Sequence, residues 1–342
     1  MRAAVMRGRR LVVDDVPEPT PGEGQVLVET LVCGICGSDL HNLQHPEQFV
    51  EAGRASGTPL VYDVERDLVM GHEFCAKVLE LGPGASEVEP GDIVVSMPIV
   101  ITRDGLEGIG YSNSYPGGYG ERMVLTSSLC LRVPDHVDPA HAALTEPMAV
   151  GVHAVAKSAI EQGTPALVIG AGPVGLAIIA ALRLAGIEPI IAADFSPTRR
   201  ELAMGMGATE AVDPREEPAI EAWRRLDGTR SPVIFEAVGV PGMIDQVMRD
   251  APRSCRIVVV GVCLESDTFW PALGVTKELS LQFVLGYSPD EFARTLGWIA
   301  QGDIDVAPLI TGEVGILDTP RAFEDLATPG AHAKILVRPA LA

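Results

Sequence analysis

The sequence lacks the features that would direct the protein into or across a membrane. Its most apolar runs, such as residues 174–182, are too short to span a bilayer and are interrupted by Gly, Pro or charged residues. The first nineteen residues, MRAAVMRGRRLVVDDVPEP, have basic residues with no apolar core before them, unlike a secretory signal. We therefore expect a cytoplasmic location and no membrane partner.

Two further shortages exclude other classes of protein. Basic residues are too few to balance the acidic ones, and the formal net charge of −20 would repel a phosphate backbone, so no nucleic-acid partner is expected. Six cysteines in a cytosolic chain of 342 residues do not indicate a disulfide framework. Most of these cysteines are expected to be buried as small apolar side chains.

The length of the chain and the change in its sequence pattern near residue 150 predict two domains. Residues 1–145 read as β-rich, with short apolar runs such as 25–32 and 92–97 between turns rich in Gly and Pro. Residues 45–68 are polar and irregular, which predicts a long loop. From about residue 150, strands alternate with helices, as in a parallel, doubly wound sheet of an α/β protein. The tail opens with a helix at residue 289 and ends with a lone strand in AKILVRP, which could return to the first domain.

The segment VIGAGPVG carries a candidate dinucleotide site. Gly170, Gly172 and Gly175 form G-x-G-x-x-G between a predicted strand and a helix that Pro173 and Val174 open. The first glycine allows the tight turn, the second lets the backbone approach a pyrophosphate, and the third lets helix and strand pack closely. The free N–H groups of the helix then face the phosphates. The alternative is a Gly-rich turn with no nucleotide.

Asp194 stands at the end of the next predicted strand, where it would accept hydrogen bonds from the adenosine ribose. A carboxylate there would repel a 2′-phosphate, so NAD is favoured over NADP. Arg199 and Arg200 keep NADP open, because one of them could face the ribose and tolerate a phosphate.

Four side chains in the first part of the chain are candidate metal ligands. Cys36 lies in CGICGSDLH, His72 and Glu73 lie in VMGHEF, and Glu146 lies in LTEPMAVGVHA. One thiolate, one imidazole and one or two carboxylates suit Zn²⁺, and three protein ligands with an exchangeable fourth position are typical of a catalytic zinc.

These residues also allow other interpretations. Cys33 and Cys36 could form a redox pair, but the β-rich surroundings lack the βαβ context of such a motif, so Cys33 is interpreted as a core thiol. His72 could be a core histidine, Glu146 could cap the helix that follows it, and His41 could be a surface histidine.

Taken together, the motifs resemble those of the zinc-dependent medium-chain dehydrogenase/reductase superfamily, the alcohol, polyol and threonine dehydrogenase group. The resemblance covers nearly the whole chain and rests on CGICGSDLH, GHEF, PGD, PGGYGERMVL, EPMAVGVHA, GAGPVG and FEAVG. It implies a GroES-like catalytic domain over residues 1–150 and 288–342, with a Rossmann NAD-binding domain over residues 151–287. It also implies a homodimer or homotetramer that pairs through a sheet edge, for which residues 279–286 are the candidate.

The resemblance implies roles for residues at matching positions. Cys36 and His72 match the catalytic zinc ligands, Glu73 matches a carboxylate that is a direct ligand in some members, and Glu146 matches the remaining ligand position. The implied reaction is hydride transfer between NAD(H) and a secondary alcohol or ketone, with a diol or acyloin among the candidates. The alternatives are an NADP(H)-preferring reductase of aldehydes or activated alkenes, and a nucleotide-binding relative without catalysis.

Three residues near Cys36 match groups that handle the substrate proton or support the metal. Ser38 matches the hydroxyl that hydrogen-bonds the substrate oxygen, and His41 matches the outer end of a proton relay. Asp39 matches the carboxylate that orients the zinc-bound imidazole.

Two departures from the family pattern stand out. Residues 92–117 contain no cysteine, so the structural zinc that many members carry is not expected here, and one catalytic zinc remains. Gly286 precedes Tyr287 where polyol-type members tend to place an arginine, which weakens a sorbitol-type interpretation.

Overall fold

The computed structural model describes residues 1–328, 330 and 332–341. Pro329, Ala331 and Ala342, which fall in the predicted range 288–342, lie outside the described residues. The amino-terminal part is built mainly from short strands. Its elements are β1 (Arg2–Arg7), β2 (Arg10–Asp15), β3 (Gln25–Gly34), α1 (Gly37–Gln44), α2 (Pro46–Ser56), β4 (Glu73–Leu81), β5 (Ile93–Ser96), β6 (Ile99–Thr102), β7 (Gly105–Gly108), β8 (Arg122–Thr126), β9 (Cys130–Arg132) and α3 (Pro139–Ala143).

The second part alternates helices and strands. Its elements are α4 (Thr145–Ser158), β10 (Ala166–Ile169), α5 (Pro173–Leu184), β11 (Ile190–Ala193), α6 (Pro197–Met206), β12 (Glu210–Val212), α7 (Ala219–Leu226), β13 (Val233–Glu236), α8 (Met243–Asp250), β14 (Arg256–Val259), α9 (Pro271–Lys277) and β15 (Ser280–Phe283). The tail adds α10 (Pro289–Gln301), β16 (Ile310–Val314), α11 (Thr319–Ala327) and β17 (Lys334–Val337).

Strand β3 organises the first sheet. This seven-stranded sheet has the order β16-β17-β3-β4-β5-β9, and β8 pairs with the opening half of β3. At the far end of β3, Gly34 is opposite Glu73 of β4 on one side and Leu336 of β17 on the other. The tail strand therefore does return to the β-rich part, as expected, and three distant segments meet where β3 ends.

The second sheet is parallel throughout, with the order β12-β11-β10-β13-β14-β15. The order reverses between β10 and β13, which is the switch point where doubly wound sheets bind ligands. This confirms the prediction of a doubly wound parallel sheet. Strand β15 forms one edge of this sheet and pairs only with β14 among the described strands.

Helix α4 joins the two parts. Gly151 lies where α4 crosses α5, and a Cβ atom there would overlap the backbone of Ala177. One apolar core runs through this junction, since it contains Val32 of β3, Met148 of α4 and Leu176 of α5. The two sheets are therefore packed against a shared helix pair.

The predicted long loop over residues 45–68 is wrong in its first half, which forms helix α2. Pro46 opens the helix, where its missing N–H group costs nothing, and Gly57 ends it with φ +70. The buried residues Phe49, Val50 and Gly53 lie on one face of the helix, a short apolar pattern among polar residues that was too weak to recognise. No helix among the described residues is long and apolar enough to cross a bilayer.

Candidate active site

The end of β3 places Cys36 directly before helix α1. The backbone N–H of Cys36 donates to Asp39 Oδ2 at 3.2 Å, so the aspartate of the first turn closes the start of the helix. The thiol of Cys36 is half-buried. A short helix thus presents Cys36, Ser38 and His41 from one segment.

The second segment of the site is the start of β4. Gly71 has φ +100 and packs against Cys33 and Tyr119, which allows the chain to turn just before His72. One ligand atom each of Cys36, His72 and Glu73 lies within 4.8 Å of the others. The structure therefore brings together three of the four predicted metal ligands.

Glu73 also forms a buried ion pair with Lys334 of β17. The Lys334 ammonium group donates to both carboxylate oxygens at 2.7 Å and to the carbonyl oxygen of Ile35 at 3.1 Å. Both side chains are almost completely buried. Burial alone would lower the pKa of Lys334, but the carboxylate of Glu73 outweighs this effect and the pKa is raised. Sequence reasoning missed Lys334, whose signal was a lone lysine ahead of the apolar strand ILV.

Glu146, the fourth predicted ligand, lies outside this group of three. It sits in the first turn of α4, which begins one residue earlier, and its Oε1 accepts a hydrogen bond from Tyr287 Oη at 3.0 Å. Burial raises the pKa of Glu146 to about 7, and the nearby carboxylate of Glu73 adds to this effect. Glu146 therefore faces the same site, where the charges of His72 and Lys334 act on it, but among the described residues no cationic side chain donates a hydrogen bond to it.

Asp39 is fully buried and supports the metal-site histidine. Tyr119 Oη donates to Asp39 Oδ2 at 2.7 Å, and Asp39 Oδ1 lies 3.5 Å from His72 Nδ1. Burial would raise the pKa of Asp39, but the imidazole of His72 and these hydrogen bonds lower it overall, so the carboxylate stays charged.

Tyr111, which the sequence reasoning did not single out, lies between Ser38 and Asp39. Its hydroxyl is 3.0 Å from Ser38 Oγ and donates to Asp39 Oδ1 at 3.2 Å. Burial raises the pKa of Tyr111 well above its usual range, and the charge of Asp39 adds to this, so the hydroxyl keeps its proton. A tyrosine between two glycine-rich turns carried no recognisable signal in one sequence.

The remaining residues of CGICGSDLH divide into packing and cleft positions. Cys33 is fully buried, and burial raises the pKa of its thiol, which confirms it as a core thiol beside the unpaired Cys36. His41 is half-buried, and burial together with the neighbouring His45 lowers the pKa of its imidazole. The backbone of Val262, from the loop after β14, contacts this imidazole, so His41 lies where the two parts of the chain meet.

The glycine-rich turn has the geometry that the motif predicts. Gly170 has φ +90, and a Cβ atom on Gly175 would overlap the carbonyl oxygen of Gly170. Gly172 precedes α5, and space for a Cβ atom there meets nothing nearer than Arg199 Nη1 at 4.0 Å. The turn and the start of α5 thus form an open cradle at the switch point, in which Pro173 opens the helix without an N–H group and Val174 is the first helical residue that carries one.

Asp194 borders this cradle. Its Oδ2 accepts from the backbone N–H of Ala171, and its Oδ1 accepts from that of Ser196, both at 2.8 Å. Arg199 Nη1 is 3.9 Å from Asp194 Oδ2, and Arg199 Nε is buried without a hydrogen-bond partner in the described part of the chain. Arg200 instead bonds the carbonyl oxygen of Asp194 and the carboxylate of Asp213. Of the two arginines, Arg199 is therefore the one that faces the turn.

Comparison with known families matches both parts of the chain. Residues 22–135 match the model described as "Alcohol dehydrogenase GroES-like domain", and residues 173–301 match the model described as "Zinc-binding dehydrogenase". The predicted combination of a GroES-like unit with a nucleotide-binding parallel sheet is therefore confirmed.

Individual relatives agree with this assignment. The (R,R)-butanediol dehydrogenase of Bacillus subtilis is 31% identical, with 99% of this chain and 100% of the relative covered. The L-threonine 3-dehydrogenase of Streptomyces coelicolor is also 31% identical, with 94% of each chain covered.

Solved structures show the same fold. The crystal structure of 2R,3R-butanediol dehydrogenase from Bacillus subtilis has a TM-score of 0.85 at 30% identity, with 99% of each chain covered. A putative zinc-binding dehydrogenase from Sinorhizobium meliloti, bound to NADP, has a TM-score of 0.84 at 26% identity, again over 99% of each chain. The chain belongs to the zinc-dependent medium-chain dehydrogenase/reductase superfamily.

Proposed function

We propose that the protein is a zinc-dependent dehydrogenase that uses NAD to interconvert a secondary alcohol and its ketone, with a vicinal diol or acyloin as the preferred substrate class. The observation that carries the proposal is the convergence of Cys36 and His72 beside Ser38, with a carboxylate, Glu73, whose ligand atom lies within 4.8 Å of theirs. The similarity to a butanediol dehydrogenase over the whole chain supports a diol. The relatives' names, which denote enzymes acting on alcohols, favour this reaction over alkene reduction.

The donor atoms suit one catalytic Zn²⁺. A thiolate, an imidazole and a carboxylate are zinc ligands, and an incomplete protein set leaves a position for the substrate oxygen. When bound, zinc lowers the pKa of an alcohol hydroxyl and polarises a carbonyl. A second, structural zinc is not part of the proposal, because residues 92–117 contain no cysteine and form the hairpin of β6 and β7.

Glu146 is proposed as the third protein ligand in preference to Glu73. Both oxygens of Glu73 accept hydrogen bonds from Lys334, so its charge is already compensated within the fold. Glu146 receives one hydrogen bond, from Tyr287, among the described residues. Lys334 and His72 act on Glu146 only through space, and burial still raises its pKa to about 7, so a metal ion would stabilise the charged form.

Ser38 and His41 are proposed to carry the proton. The Ser38 hydroxyl can accept the proton of the substrate hydroxyl and pass it on, and His41 can release it to water from the edge of the cleft. Because the pKa of His41 is lowered by burial, its imidazole is neutral and able to accept a proton at neutral pH. NAD, when bound, is the hydride acceptor, and the protein supplies orientation.

NAD is proposed as the physiological cofactor because of Asp194. Its carboxylate already accepts hydrogen bonds from Ala171 and Ser196, so it is fixed at the border of the phosphate cradle, where it would repel a 2′-phosphate. Arg199 is the observation that favours NADP, since its unpartnered Nε could bind a phosphate.

We also propose a catalytic domain of residues 1–150 and 288–342 and a nucleotide domain of residues 151–287. The membership of β17 in the first sheet supports this division. A cytoplasmic location is proposed because all six cysteines are unpaired thiols, which suits a reducing compartment. Cell fractionation that recovers the protein from an oxidising compartment would contradict that location.

A homodimer or homotetramer is proposed to form through the edge strand β15. Phe283, the last residue of this strand, and Leu285, two residues after it, are 59% and 64% exposed. An edge strand that exposes apolar side chains and unpaired backbone groups favours pairing with a second copy.

Chelation of zinc is expected to abolish oxidation of 2,3-butanediol by NAD, and re-addition of zinc is expected to restore it. Cys36→Ala should lower kcat/KM by at least about a hundredfold, more than the loss typical of a residue that only supports a ligand. Steady-state NADH formation measures both effects. Undiminished turnover by protein shown to be metal-free would contradict the zinc mechanism.

In the same assay, measured against pH, oxidation should persist below the usual pKa of histidine, because the pKa of His41 is lowered.

Glu146→Gln and Glu73→Gln are expected to change different properties, zinc affinity in the first variant and stability in the second. Glu146→Gln should weaken zinc binding by about tenfold or more, with little change in the melting temperature of the metal-free protein. Glu73→Gln leaves Lys334 buried without its anion, so it should cost about 3 kcal/mol or more of stability while zinc affinity is retained. Chelator competition and thermal melts separate the two. The reverse pattern would assign Glu73 as the ligand.

Asp194→Ala is expected to weaken NADH binding by about tenfold, because hydrogen bonds to a charged acceptor are lost. NADPH binding is expected to be unchanged or tighter. Arg199→Ala is the matched variant, and it should weaken NADPH binding more than NADH binding. Fluorescence titrations of both reduced cofactors measure the dissociation constants. Tighter binding of NADPH than of NADH by the unmodified protein would contradict the NAD assignment.

Phe283→Lys combined with Leu285→Lys is expected to shift the protein towards a monomer, because paired copies would place like charges along one edge. Leu317→Lys is the control, since Leu317 is 56% exposed and lies in the 3-10 turn before α11. Sedimentation velocity at micromolar concentration reports the species. An unchanged oligomer in the double variant would move the interface elsewhere.

A further inference from the structure

The hydroxyl group of Tyr111 lies at the junction of two groups that the proposed function uses separately. It is 3.0 Å from Ser38 Oγ and 3.2 Å from both Asp39 Oδ1 and His72 Nδ1. We propose that Tyr111 is a positioning residue, which holds the Ser38 hydroxyl and the His72 imidazole in a fixed relation through one oxygen atom. This inference rests on the proposed function, because it places Tyr111 in the same site.

The hydrogen-bonding capacity of the group matches its three neighbours. A phenol has one proton to donate and two lone pairs to accept with. The carboxylate of Asp39 can only accept, so the phenol proton belongs to Asp39 Oδ1. The lone pairs are then directed to Ser38 and His72, which both have a proton to donate. All three contacts can exist at the same time.

For His72, Tyr111 provides the shorter contact. Nδ1 lies 3.2 Å from Tyr111 Oη and 3.5 Å from Asp39 Oδ1. When one imidazole nitrogen binds a metal ion, the other carries a proton, and its acceptor fixes the plane of the ring. Tyr111 therefore serves as that acceptor. Because its own proton is donated to Asp39, the carboxylate holds the phenol oxygen in place to accept from the imidazole.

For Ser38, Tyr111 is the one side-chain hydrogen-bond partner in the described part of the chain. A serine side chain can occupy more than one staggered rotamer unless a partner selects one. When Tyr111 accepts the Ser38 proton, the lone pairs of Ser38 point away from Tyr111 and are free to accept a hydrogen bond from a substrate hydroxyl. Ser38 breaks its bond to Tyr111 when it takes up the substrate proton and gives its own proton to the relay.

The segment that carries Tyr111 is itself fixed to the metal-site segment. Backbone N–H groups of Gly117, Gly118 and Tyr119 donate to the carbonyl oxygens of residues 69–71, immediately before His72. The Tyr111 ring also stacks on Phe49 of α2, with ring centroids 4.9 Å apart. The phenol position is therefore set by packing and by the backbone, and removal of its oxygen alone should leave the ring in place.

Tyr111→Phe in the full-length protein is the test. Zinc affinity, measured by chelator competition, should fall by about tenfold, the lower end of what loss of an acceptor behind a metal-bound histidine causes. The visible absorption of the cobalt-substituted protein should shift, because the imidazole changes orientation. With butanediol and NAD, kcat should fall by about tenfold, one lost hydrogen bond of about 1.4 kcal/mol, while KM stays nearly constant.

Tyr62→Phe is the matched control. Tyr62 is also buried, and its hydroxyl donates to Asn42 Oδ1 at 2.7 Å, away from Ser38 and His72. It should keep the zinc affinity, the cobalt spectrum and kcat of the unmodified protein. Equal zinc affinity and an unshifted spectrum in Tyr111→Phe would overturn the proposal, as would equal losses in both variants.

A double-mutant cycle with Ser38→Ala tests the second contact. If Tyr111 acts on the reaction through Ser38, Tyr111→Phe should lower kcat little further once Ser38 is alanine, whereas additive losses would overturn this part of the proposal. Failure of the unmodified enzyme to oxidise any alcohol would contradict the proposed function. The zinc and cobalt measurements would still decide the role of Tyr111 in that case.

Discussion

The buried ion pair between Glu73 and Lys334 is the constraint around which the site is assembled. It joins the first residue of β4 to the first residue of β17, 261 residues later in the chain. Two opposite charges removed from water are stable only when their geometry satisfies both, so neither strand can shift along β3 without exposing a charge to the apolar interior. Gly34 of β3 has no Cβ for the same reason, because one would overlap the Glu73 carboxylate. Cys36 follows Ile35, whose carbonyl oxygen accepts from Lys334, and His72 precedes Glu73, so the pair holds the backbone next to both ligands.

Local patterns predicted most of the fold, whereas contacts between distant segments stayed hidden. The parallel sheet could be read from the sequence because each strand, helix and glycine turn has its own period and its own stop signals. Helix α2 could not, because only Phe49, Val50 and Gly53 mark its buried face and the rest of the segment is polar.

The same distinction applies to the site. Cys36, His72 and the turn at Gly170 were recognised because each belongs to a short motif whose chemistry is readable, whereas the roles of Ser38 and Asp39 came from the resemblance to the family. Lys334 and Tyr111 were missed, and Tyr287 was noted only beside the position of an absent arginine, since each acts on a motif residue from 39 to 261 positions away. One sequence carries no sign of such a pairing. What the structure adds is therefore the set of side chains that contact the motif residues from distant segments. These contacts fix the charges and the protons of the motif residues.

The buried acids of the site differ in how many partners their carboxylates have among these supporting side chains. Asp39 is stabilised by two tyrosine hydroxyls and by the backbone of Cys36, and Glu73 is stabilised by an ammonium group, so both charges are satisfied by the protein alone. Glu146 has only the hydroxyl of Tyr287 among the described residues. A buried carboxylate in that condition either takes up a proton or binds a cation. Of the three acids, Glu146 has the fewest hydrogen bonds, and burial raises its pKa to about 7. Its charged form is therefore the one that a cation bound in the cleft would stabilise most, as expected of a proposed metal ligand.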